Sequence, residues 1–230
     1  ITVSHTAIAT VSAIVSRGAK PVFVDIEEPF FTLDPNKLQS EVTNNTKAVI
    51  AVHLYGQSVD LYKIKKFCIK NNLYLIEDVS QAHGGLWGNK KLGSIGVIGC
   101  FSCYPTKNLG ALGDAGLITT NDIKLRNKIA ALRQYGWEKR NYSSMHGRNS
   151  RLDEIQAAIL RVKLKYLDQM NQSRQRIAKL YLNNLIDLPL SLPKIRQNSS
   201  HVFHIFSVCV EKRNDLLKFL KKNNIIAGIH

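Results

Sequence analysis

The sequence predicts an α/β fold in which a mostly parallel sheet is flanked by helices. Apolar, β-branched runs alternate with helical periods, and several of the runs are apolar on both faces, as strands covered by helices on each side are. Strand–helix–strand units of this spacing are typical of a parallel sheet. The predicted strands are 21–25, 48–54, 73–78, 95–102 and 116–120, and the predicted helices between them are 6–17, 58–71 and 123–134.

The predicted helix over 58–71 shows the clearest pattern. Its apolar residues recur at intervals of three and four, so one face is buried and the other carries lysines. The apolar face holds Leu61, Ile64, Phe67 and Cys68, and the polar face holds Lys63, Lys66 and Lys70. Asn121 and Asp122 directly precede the helix over 123–134, where residues of these types are suited to cap the first turn.

After Gly147 the pattern changes from strands to long basic helices. The apolar period predicts one helix over 151–167 and a second over 172–185. A segment with two prolines follows and is predicted to be a linker; a strand and a lysine-rich helix come after it. These ranges are 187–200, 201–210 and 213–223. We therefore expect a large domain over 1–170 and the start of a small α+β domain over 171–230.

Composition excludes several classes of protein. With 44% hydrophobic residues the chain can bury a core, and no apolar run is long enough to span a membrane. Four cysteines and no secretory signal indicate reduced thiols in a cytoplasmic protein. Cys100 and Cys103 form a C-x-x-C motif, but a zinc site needs a second pair that is missing, and no metal is expected.

The formal charge of +15 suggests an anionic partner. A nucleic acid is not expected, because no recognisable binding module is present and the lysines are spread over several helix faces. The chain opens on Ile1 without a start methionine and stops at His230, so we expect it to be part of a longer protein.

Two loops at the carboxyl ends of predicted strands carry the chemistry, because open parallel sheets bind ligands at that edge. Asp78 ends one strand, and capping of the next segment is an equally open role for it. Lys107 follows another strand in an apolar, glycine-rich stretch, where burial lowers the pKa of an amine; a solvated lysine is the alternative. Ser102 and Thr106 lie nearby and are suited to a phosphate. An amine and a carboxylate so placed match the needs of pyridoxal phosphate (PLP).

Six motifs in order carry a resemblance to a known family: SHTAIATVSAI, GAKPVFVDI, AVHLYGQ, IEDVSQAHGG, FSCYPTKNLGALGDAG and GRNSRLDEIQAAIL. The chain resembles the DegT-type, PLP-dependent nucleotide-sugar aminotransferases. The resemblance covers residues 1 to about 185 and extends more loosely to the end. It implies a fold-type-I transferase that moves an amino group, with glutamate as the expected donor, to a keto sugar on a nucleotide.

The resemblance also implies residue roles. Lys107 matches the lysine that forms an imine with the cofactor and shuttles protons, and Asp78 matches the acid that pairs with the pyridine nitrogen. Gln81 matches the residue beside the cofactor ring hydroxyl, and Ser102 matches a phosphate ligand. Asn149 matches an asparagine that reaches the phosphate in the neighbouring subunit, which implies a homodimer with shared sites.

His5 lies where the family stacks an aromatic ring on PLP. This motif is most similar to enzymes that aminate carbon 3 of a dTDP-3-keto-6-deoxyhexose for glycan biosynthesis. A carbon-4 keto sugar and a non-catalytic regulator on the same fold are the alternatives. The related sugar 3-dehydratases carry histidine in place of Lys107. His201 and His204 are expected to pack in a strand rather than to touch the sugar.

The sequence departs from the family pattern in three places. The Gly-Thr/Ser phosphate loop expected upstream of the cofactor is absent from this chain, and the sugar-binding part stops at His230. Cys103 lies where an aromatic residue is more usual, which we interpret as a tolerated change in packing.

Overall fold

The computed structural model describes residues 1–230, with twelve strands and seven α-helices. The strands are β1 Thr2–Val3, β2 Phe23–Val24, β3 Ile26–Glu27, β4 Thr32–Leu33, β5 Ala48–Val52, β6 Tyr74–Asp78, β7 Leu86–Trp87, β8 Lys90–Lys91, β9 Ile98–Ser102, β10 Gly116–Thr119, β11 Trp137–Lys139 and β12 Tyr142–Ser143. The helices are α1 Ile8–Val15, α2 Leu38–Glu41, α3 Leu61–Lys70, α4 Ile123–Leu132, α5 Glu154–Leu164, α6 Leu167–Asn184 and α7 Arg213–Lys222.

The central sheet has the strand order β10-β9-β6-β5. Strands β5, β6 and β9 are parallel, and β10 runs antiparallel to β9, so the prediction of a mostly parallel sheet is confirmed. The parallel pair β1 and β2 adjoins β5, because the amino group of Ile1 donates to the Ala48 carbonyl at 2.9 Å. In the register of the sheet Asp78 lies between Val52 and Cys100, at the carboxyl ends of β5 and β6 and two residues before the end of β9.

A core of 18 buried apolar residues lies around the sheet. Helix α3 covers β6 with Leu61, Ile64 and Cys68, the apolar face that the sequence predicted. This helix begins later than predicted because the Asp60 carboxylate accepts from the Lys63 N–H and caps the first turn. The predicted helices over 6–17 and 123–134 are likewise confirmed as the shorter α1 and α4.

All five predicted strands are present, but each is shorter than the apolar run that predicted it. Strand β9 begins at Ile98 rather than at residue 95. The backbone N–H groups of Ile95 and Gly96 donate to the Glu77 carboxylate at 2.8 and 2.7 Å instead of joining a strand ladder. A buried acid therefore ends the strand pairing, and the apolar run cannot reveal this.

The long basic helices differ in their limits. The predicted helix over 151–167 ends at Leu164, and α6 begins after a turn at Lys165 and Tyr166, five residues earlier than predicted. Because apolar residues continue through the turn, the period alone cannot locate the break. The predicted domain boundary near residue 170 lies inside α6, and where the second domain begins stays a prediction. None of the helices combines the length and the apolar character needed to cross a bilayer.

The predicted strand over 201–210 is wrong. Only an isolated bridge between Ser191 and Cys209 forms there, and Phe203 has a left-handed backbone with φ of 45°. The segment packs on the turn at Gly56 instead, where the Val202 N–H donates to the Gly56 carbonyl at 3.0 Å. Gly56 permits this approach, since a Cβ added to it would lie 2.9 Å from the Phe203 nitrogen. The helix predicted to follow, over 213–223, is confirmed as α7.

The segment over 187–200 is irregular, as predicted, but it is not a free linker. Arg196 in this segment is 8% exposed, forms an ion pair with Glu27 and donates to the Ser58 carbonyl at 3.1 Å. Its guanidinium also lies 4.0 Å from the centre of the Phe30 ring. This one side chain therefore connects the late segment to the β3–β4 hairpin and to the loop before α3.

Candidate active site

Asp78 lies at the tip of β6 and lines a cleft of about 870 Å³ between one face of the sheet and helices α1 and α4, whereas Lys107, His5 and Gln81 do not line this cleft. The Thr10 hydroxyl donates to its Oδ2 atom at 2.8 Å, and the Ser80 N–H donates to Oδ1 at 3.1 Å. Each carboxylate oxygen keeps a lone pair after these bonds. Asp78 is thus a fixed hydrogen-bond acceptor in the wall of a cleft.

The loop that carries Lys107 is closed on itself. The Ala111 N–H donates to the Cys103 carbonyl at 2.8 Å, and the Lys107 N–H donates to the Tyr104 carbonyl at 2.9 Å. Gly110 makes the closure possible, because a Cβ there would lie 2.3 Å from the Pro105 oxygen. Below the loop, a second core cluster anchors it on α5 and α6 through Cys103, Leu109, Ala111, Leu160 and Leu167.

The amine of Lys107 is half-buried and takes part in none of the ion pairs of the chain. Burial lowers the pKa of Lys107, and the negative charge of Asp78 acts in the opposite direction. The two groups are therefore within electrostatic reach of each other, and the amine is not neutralised by a close carboxylate. A larger fraction of it is in the nucleophilic, uncharged form than for a lysine in water.

Tyr55 forms hydrogen bonds with both Gln81 and His5. Gln81 accepts a hydrogen bond from the Tyr55 N–H at its Oε1 atom at 2.6 Å, which directs its amide NH₂ away from that turn. The Tyr55 hydroxyl lies 2.8 Å from Nε2 of His5 and 3.0 Å from Nδ1 of His230. Burial and the nearby His230 lower the pKa of His5, so its ring is neutral near pH 7.

Ser102 and Asn149 differ in whether they line the cleft beside Asp78. Ser102 lines the cleft, and its hydroxyl accepts from the Tyr104 N–H at 3.3 Å. Asn149 is exposed, does not line the cleft, and accepts a bond from Arg151 Nε at 3.0 Å. Its neighbours Ser150 and Arg151 do line the cleft. The expectation that Asn149 acts in a neighbouring subunit stays a prediction.

Sequence reasoning missed three residues of this region. Thr10 bonds to Asp78 across 68 positions of the chain, and Tyr55 lies in a 3-10 turn with φ of 59°. His83 is 1% exposed, and neither of its ring nitrogens makes a hydrogen bond of normal geometry within the chain, although the Ser102 backbone lies close enough to oppose the lowering of its pKa. Burial, with the charge of Lys107, lowers the pKa of His83 to about 4. All three lie within the motifs that carry the family resemblance, but nothing in those motifs indicates the contacts that they make.

A half-buried amine and a carboxylate that follow neighbouring strands of this sheet are the groups that a fold-type-I, PLP-dependent transferase needs. Comparison with known families narrows the class. The profile of the DegT/DnrJ/EryC1/StrS aminotransferase family matches residues 1–230, and the chain belongs to that family. The family resemblance of the six sequence motifs is thereby confirmed.

Three relatives show how similar the chain is to individual proteins. It is 45% identical, over 99% of its length, to a dTDP-3-amino-3,6-dideoxy-α-D-galactopyranose transaminase of Aneurinibacillus thermoaerophilus. It is 41% identical, over its whole length, to a pleiotropic regulatory protein of Geobacillus stearothermophilus. The crystal structure of DesV from Streptomyces venezuelae in complex with a ketimine intermediate aligns with 97% of the chain at a TM-score of 0.95 and 38% identity.

The chain spans only part of each relative: 62% of the transaminase, 63% of the regulatory protein and 61% of DesV. The fold and the family follow from these matches.

Proposed function

We propose that the protein of which this chain forms part is a PLP-dependent aminotransferase acting on a nucleotide sugar. The observation that carries the proposal is that Lys107 and Asp78 follow neighbouring strands and lie within electrostatic reach of each other. The pKa of the Lys107 amine is lowered by burial, and Asp78 lies within electrostatic reach in the wall of a cleft. The 45% identity to a dTDP-3-amino-sugar transaminase supports the same conclusion.

The residues present fit PLP. The cofactor needs an amine for its aldehyde, a carboxylate for its ring nitrogen and polar donors for its phosphate. Lys107, Asp78 and Ser102 supply these groups on adjacent loops at one edge of the sheet. The free amide NH₂ of Gln81 is a hydrogen-bond donor suited to the ring hydroxyl, and His5 is suited to lie against the ring.

When bound to a lysine amine, PLP supplies an electron sink that stabilises negative charge on the carbon next to the transferred nitrogen. The residues of this chain do the rest. Asp78, held by Thr10 and Ser80, keeps a proton on the ring nitrogen. Lys107 holds and returns a proton at its Nζ atom, and the lowered pKa of this amine favours the uncharged form that can accept a proton. Apolar residues, among them Ile50, Ile76 and Leu152, line the cleft beside Asp78.

The substrate we propose is a dTDP-3-keto-6-deoxyhexose that is aminated at carbon 3, with glutamate as the amino donor. The relative from A. thermoaerophilus, named for a dTDP-3-amino-3,6-dideoxy sugar, supports this choice. We further propose a cytoplasmic homodimer in which Asn149 completes the partner's phosphate site, working in glycan biosynthesis. The four free cysteines are consistent with a reducing compartment.

The cofactor claim is tested by adding PLP to the purified full-length protein and recording the visible spectrum. We expect a yellow complex whose imine band is absent from the Lys107→Ala variant. The Lys66→Ala variant is the matched control, since Lys66 lies on the exposed face of α3. If the wild type gains no cofactor absorbance, the proposed function is wrong.

The substrate claim is tested by offering dTDP-3-keto and dTDP-4-keto 6-deoxyhexoses with glutamate and identifying the aminated product by mass spectrometry and NMR. Amination of the 3-keto sugar alone is the expected result. Amination of the 4-keto sugar alone would replace the proposed substrate by the other class of keto sugar.

A second candidate is a regulator on the same fold, favoured by the 41% identity to a protein named as a pleiotropic regulator. Retention of Lys107, Asp78 and Gln81 together favours an enzyme, because a regulator needs no nucleophilic amine. A protein that binds PLP but transfers no amino group from any donor to any keto sugar would favour the regulator.

A further inference from the structure

Next to Lys107 a buried amide network joins three distant parts of the chain. The Nδ2 atom of Asn108 donates to Oδ1 of Asn171 at 3.0 Å and to the Val202 carbonyl at 3.1 Å. The Nδ2 atom of Asn171 donates to the His83 carbonyl at 2.8 Å. The Oδ1 atom of Asn108 lies 3.1 Å from Nδ1 of His204. The loop of Lys107, helix α6 and the segment around residue 202 are thereby connected.

This network fixes the tautomer of His204. Both hydrogens of the Asn108 amide are used by Asn171 and Val202, so Asn108 can offer only its oxygen to His204. An oxygen acceptor requires a proton on Nδ1 of His204. In a neutral imidazole the other nitrogen, Nε2, then carries a bare lone pair.

The lone pair on Nε2 is open to a ligand. Nε2 makes no hydrogen bond within the chain. It is also not fully buried: among the side-chain nitrogens and oxygens that lack a partner, only the two ring nitrogens of His83 are fully buried. Burial and the charges of Lys107 and Arg174 lower the pKa of His204 to about 4, so the ring is neutral at pH 7. His204 is thus a hydrogen-bond acceptor within electrostatic reach of the Lys107 amine.

The surroundings narrow the donor that such an acceptor takes. Lys107 and Arg174 disfavour a second cation at this place, so an ammonium group of an amino donor is a poor partner. A hydroxyl group donates a hydrogen bond without bringing a charge. The keto sugar carries hydroxyl groups close to the carbon that must approach Lys107.

We propose that Nε2 of His204 accepts a hydrogen bond from a hydroxyl of the sugar and so determines which keto sugars the enzyme takes. This proposal rests on the proposed function, since it needs a sugar at Lys107. It differs from the sequence-based expectation, which assigned His204 to packing within a strand. His201, by contrast, is 4% exposed, and its Nδ1 accepts from the Phe203 N–H at 3.0 Å, so it remains a packing residue.

Two substitutions at His204 separate the roles of its nitrogens. In the His204→Asn variant of the full-length enzyme the amide can still donate to Asn108, but nothing replaces Nε2. In His204→Gln the longer amide can present its oxygen near the position of Nε2. We expect the KM for the sugar to rise about tenfold in His204→Asn and to recover in part in His204→Gln, as for the loss and partial return of one hydrogen bond.

The internal control is the amino donor, whose KM we expect to stay unchanged in both variants. A rise in both KM values together, or a fall in kcat alone, would overturn the proposal and indicate that Nε2 serves Lys107 instead. A 4-deoxy analogue of the sugar locates the hydroxyl. If His204 contacts the carbon-4 hydroxyl, the preference for the 4-hydroxy sugar disappears in His204→Asn; if it contacts another hydroxyl, both sugars lose affinity equally.

A spectroscopic measurement tests the geometry without turnover. In ¹⁵N-histidine-labelled enzyme at pH 7 we expect His204 to show a protonated Nδ1 and an unprotonated Nε2, and the Nε2 resonance to shift when the dTDP-sugar product is added. A protonated Nε2, or a resonance that saturating product does not move, would contradict the proposal. If the wild type is active and the His204→Asn variant has the same KM for the sugar, only this inference is wrong. If the wild type is inactive, the proposed function is wrong as well.

Discussion

Oε2 of Glu77 lies 3.1 Å from Nε2 of His53, and both side chains are completely buried. Because Nδ1 of His53 accepts a bond from the Val59 N–H at 3.3 Å, the proton of the ring is on Nε2 and points at the carboxylate. Glu77 also accepts from the backbone N–H groups of Gly93, Ile95 and Gly96 at 2.7–2.9 Å. One buried acid, adjacent in sequence to Asp78, therefore holds three chain segments together.

We expect Glu77→Gln to lower the free energy of unfolding by about 3 kcal/mol, as breaking a buried charged network does. An amide can accept at only one of its two positions, so its NH₂ group must face a backbone N–H. Urea unfolding followed by circular dichroism measures the change. The matched control is Asp168→Asn, whose ion pair with Lys91 is more than half exposed on both sides and is expected to leave the midpoint unchanged. Equal midpoints for the two variants would contradict this account.

The carboxylate of Glu77 also predicts that the folded protein loses stability in acid. Burial raises the pKa of Glu77, but the hydrogen bonds from His53 and the backbone N–H groups outweigh it and hold the pKa below its ordinary value of 4.5. A group whose pKa is lower in the folded state stabilises the protein above its unfolded pKa and loses this effect as the pH falls. The contribution of Glu77 is therefore complete above pH 4.5 and is lost below it. In Glu77→Gln the unfolding free energy should depend less on pH in that acid range than in the wild type.

His83 predicts a second pH effect. Its pKa is lowered to about 4 from the ordinary 6.5, so between these values the unfolded chain binds a proton that the folded one does not, and stability falls as the pH falls. Because its two ring nitrogens are buried without partners, we expect His83→Leu to unfold at the same or a higher urea concentration at pH 7. The slope of stability between pH 6.5 and 4 should decrease by up to about 1.4 kcal/mol per pH unit. A large loss of stability at pH 7 would mean that the ring has a partner which the structure lacks.

Thr10 predicts an effect on cofactor affinity. Its hydroxyl donates to Asp78 and fixes the carboxylate that we assign to the ring nitrogen of PLP. We expect Thr10→Val to weaken PLP binding about tenfold, the loss of one hydrogen bond to a charged group, whereas Thr10→Ser keeps the hydroxyl and wild-type affinity. Titration of the full-length apoenzyme with PLP, followed by absorbance, measures both. Equal affinities for the two variants would remove Thr10 from the site.

The balance of burial and charge at Lys107 is itself measurable. With isotopically labelled dimethyl-lysine in the cofactor-free protein, NMR should show Lys107 titrating at a lower pH than the surface lysines, because burial lowers its pKa. In Asp78→Asn the titration should move lower still, since the opposing negative charge is gone. A shift upward in that variant would show that Asp78 does not reach the amine.

The sequence alone predicted those elements for which the residue types and the apolar period indicate the same structure. The stripe of Leu61, Ile64 and Cys68 predicted α3, and runs of β-branched residues predicted the parallel strands. The loops of Asp78 and Lys107 could be selected because residues after parallel strands meet at one edge of the sheet. The strand over 201–210 could not be judged in this way, because its contact with Gly56 depends on residues about 150 positions away.

The sequence by itself determined the fold class, the family and the amine and carboxylate of the candidate site, since these depend on local patterns and on motifs in order. Only the tertiary structure decided which groups support them: Thr10 on Asp78, Tyr55 between His5 and Gln81, and Asn108 on His204. The physical reason is that a hydrogen bond or a pKa depends on distance and burial. Residues 26–96 positions apart meet in these contacts, and no local period encodes such meetings.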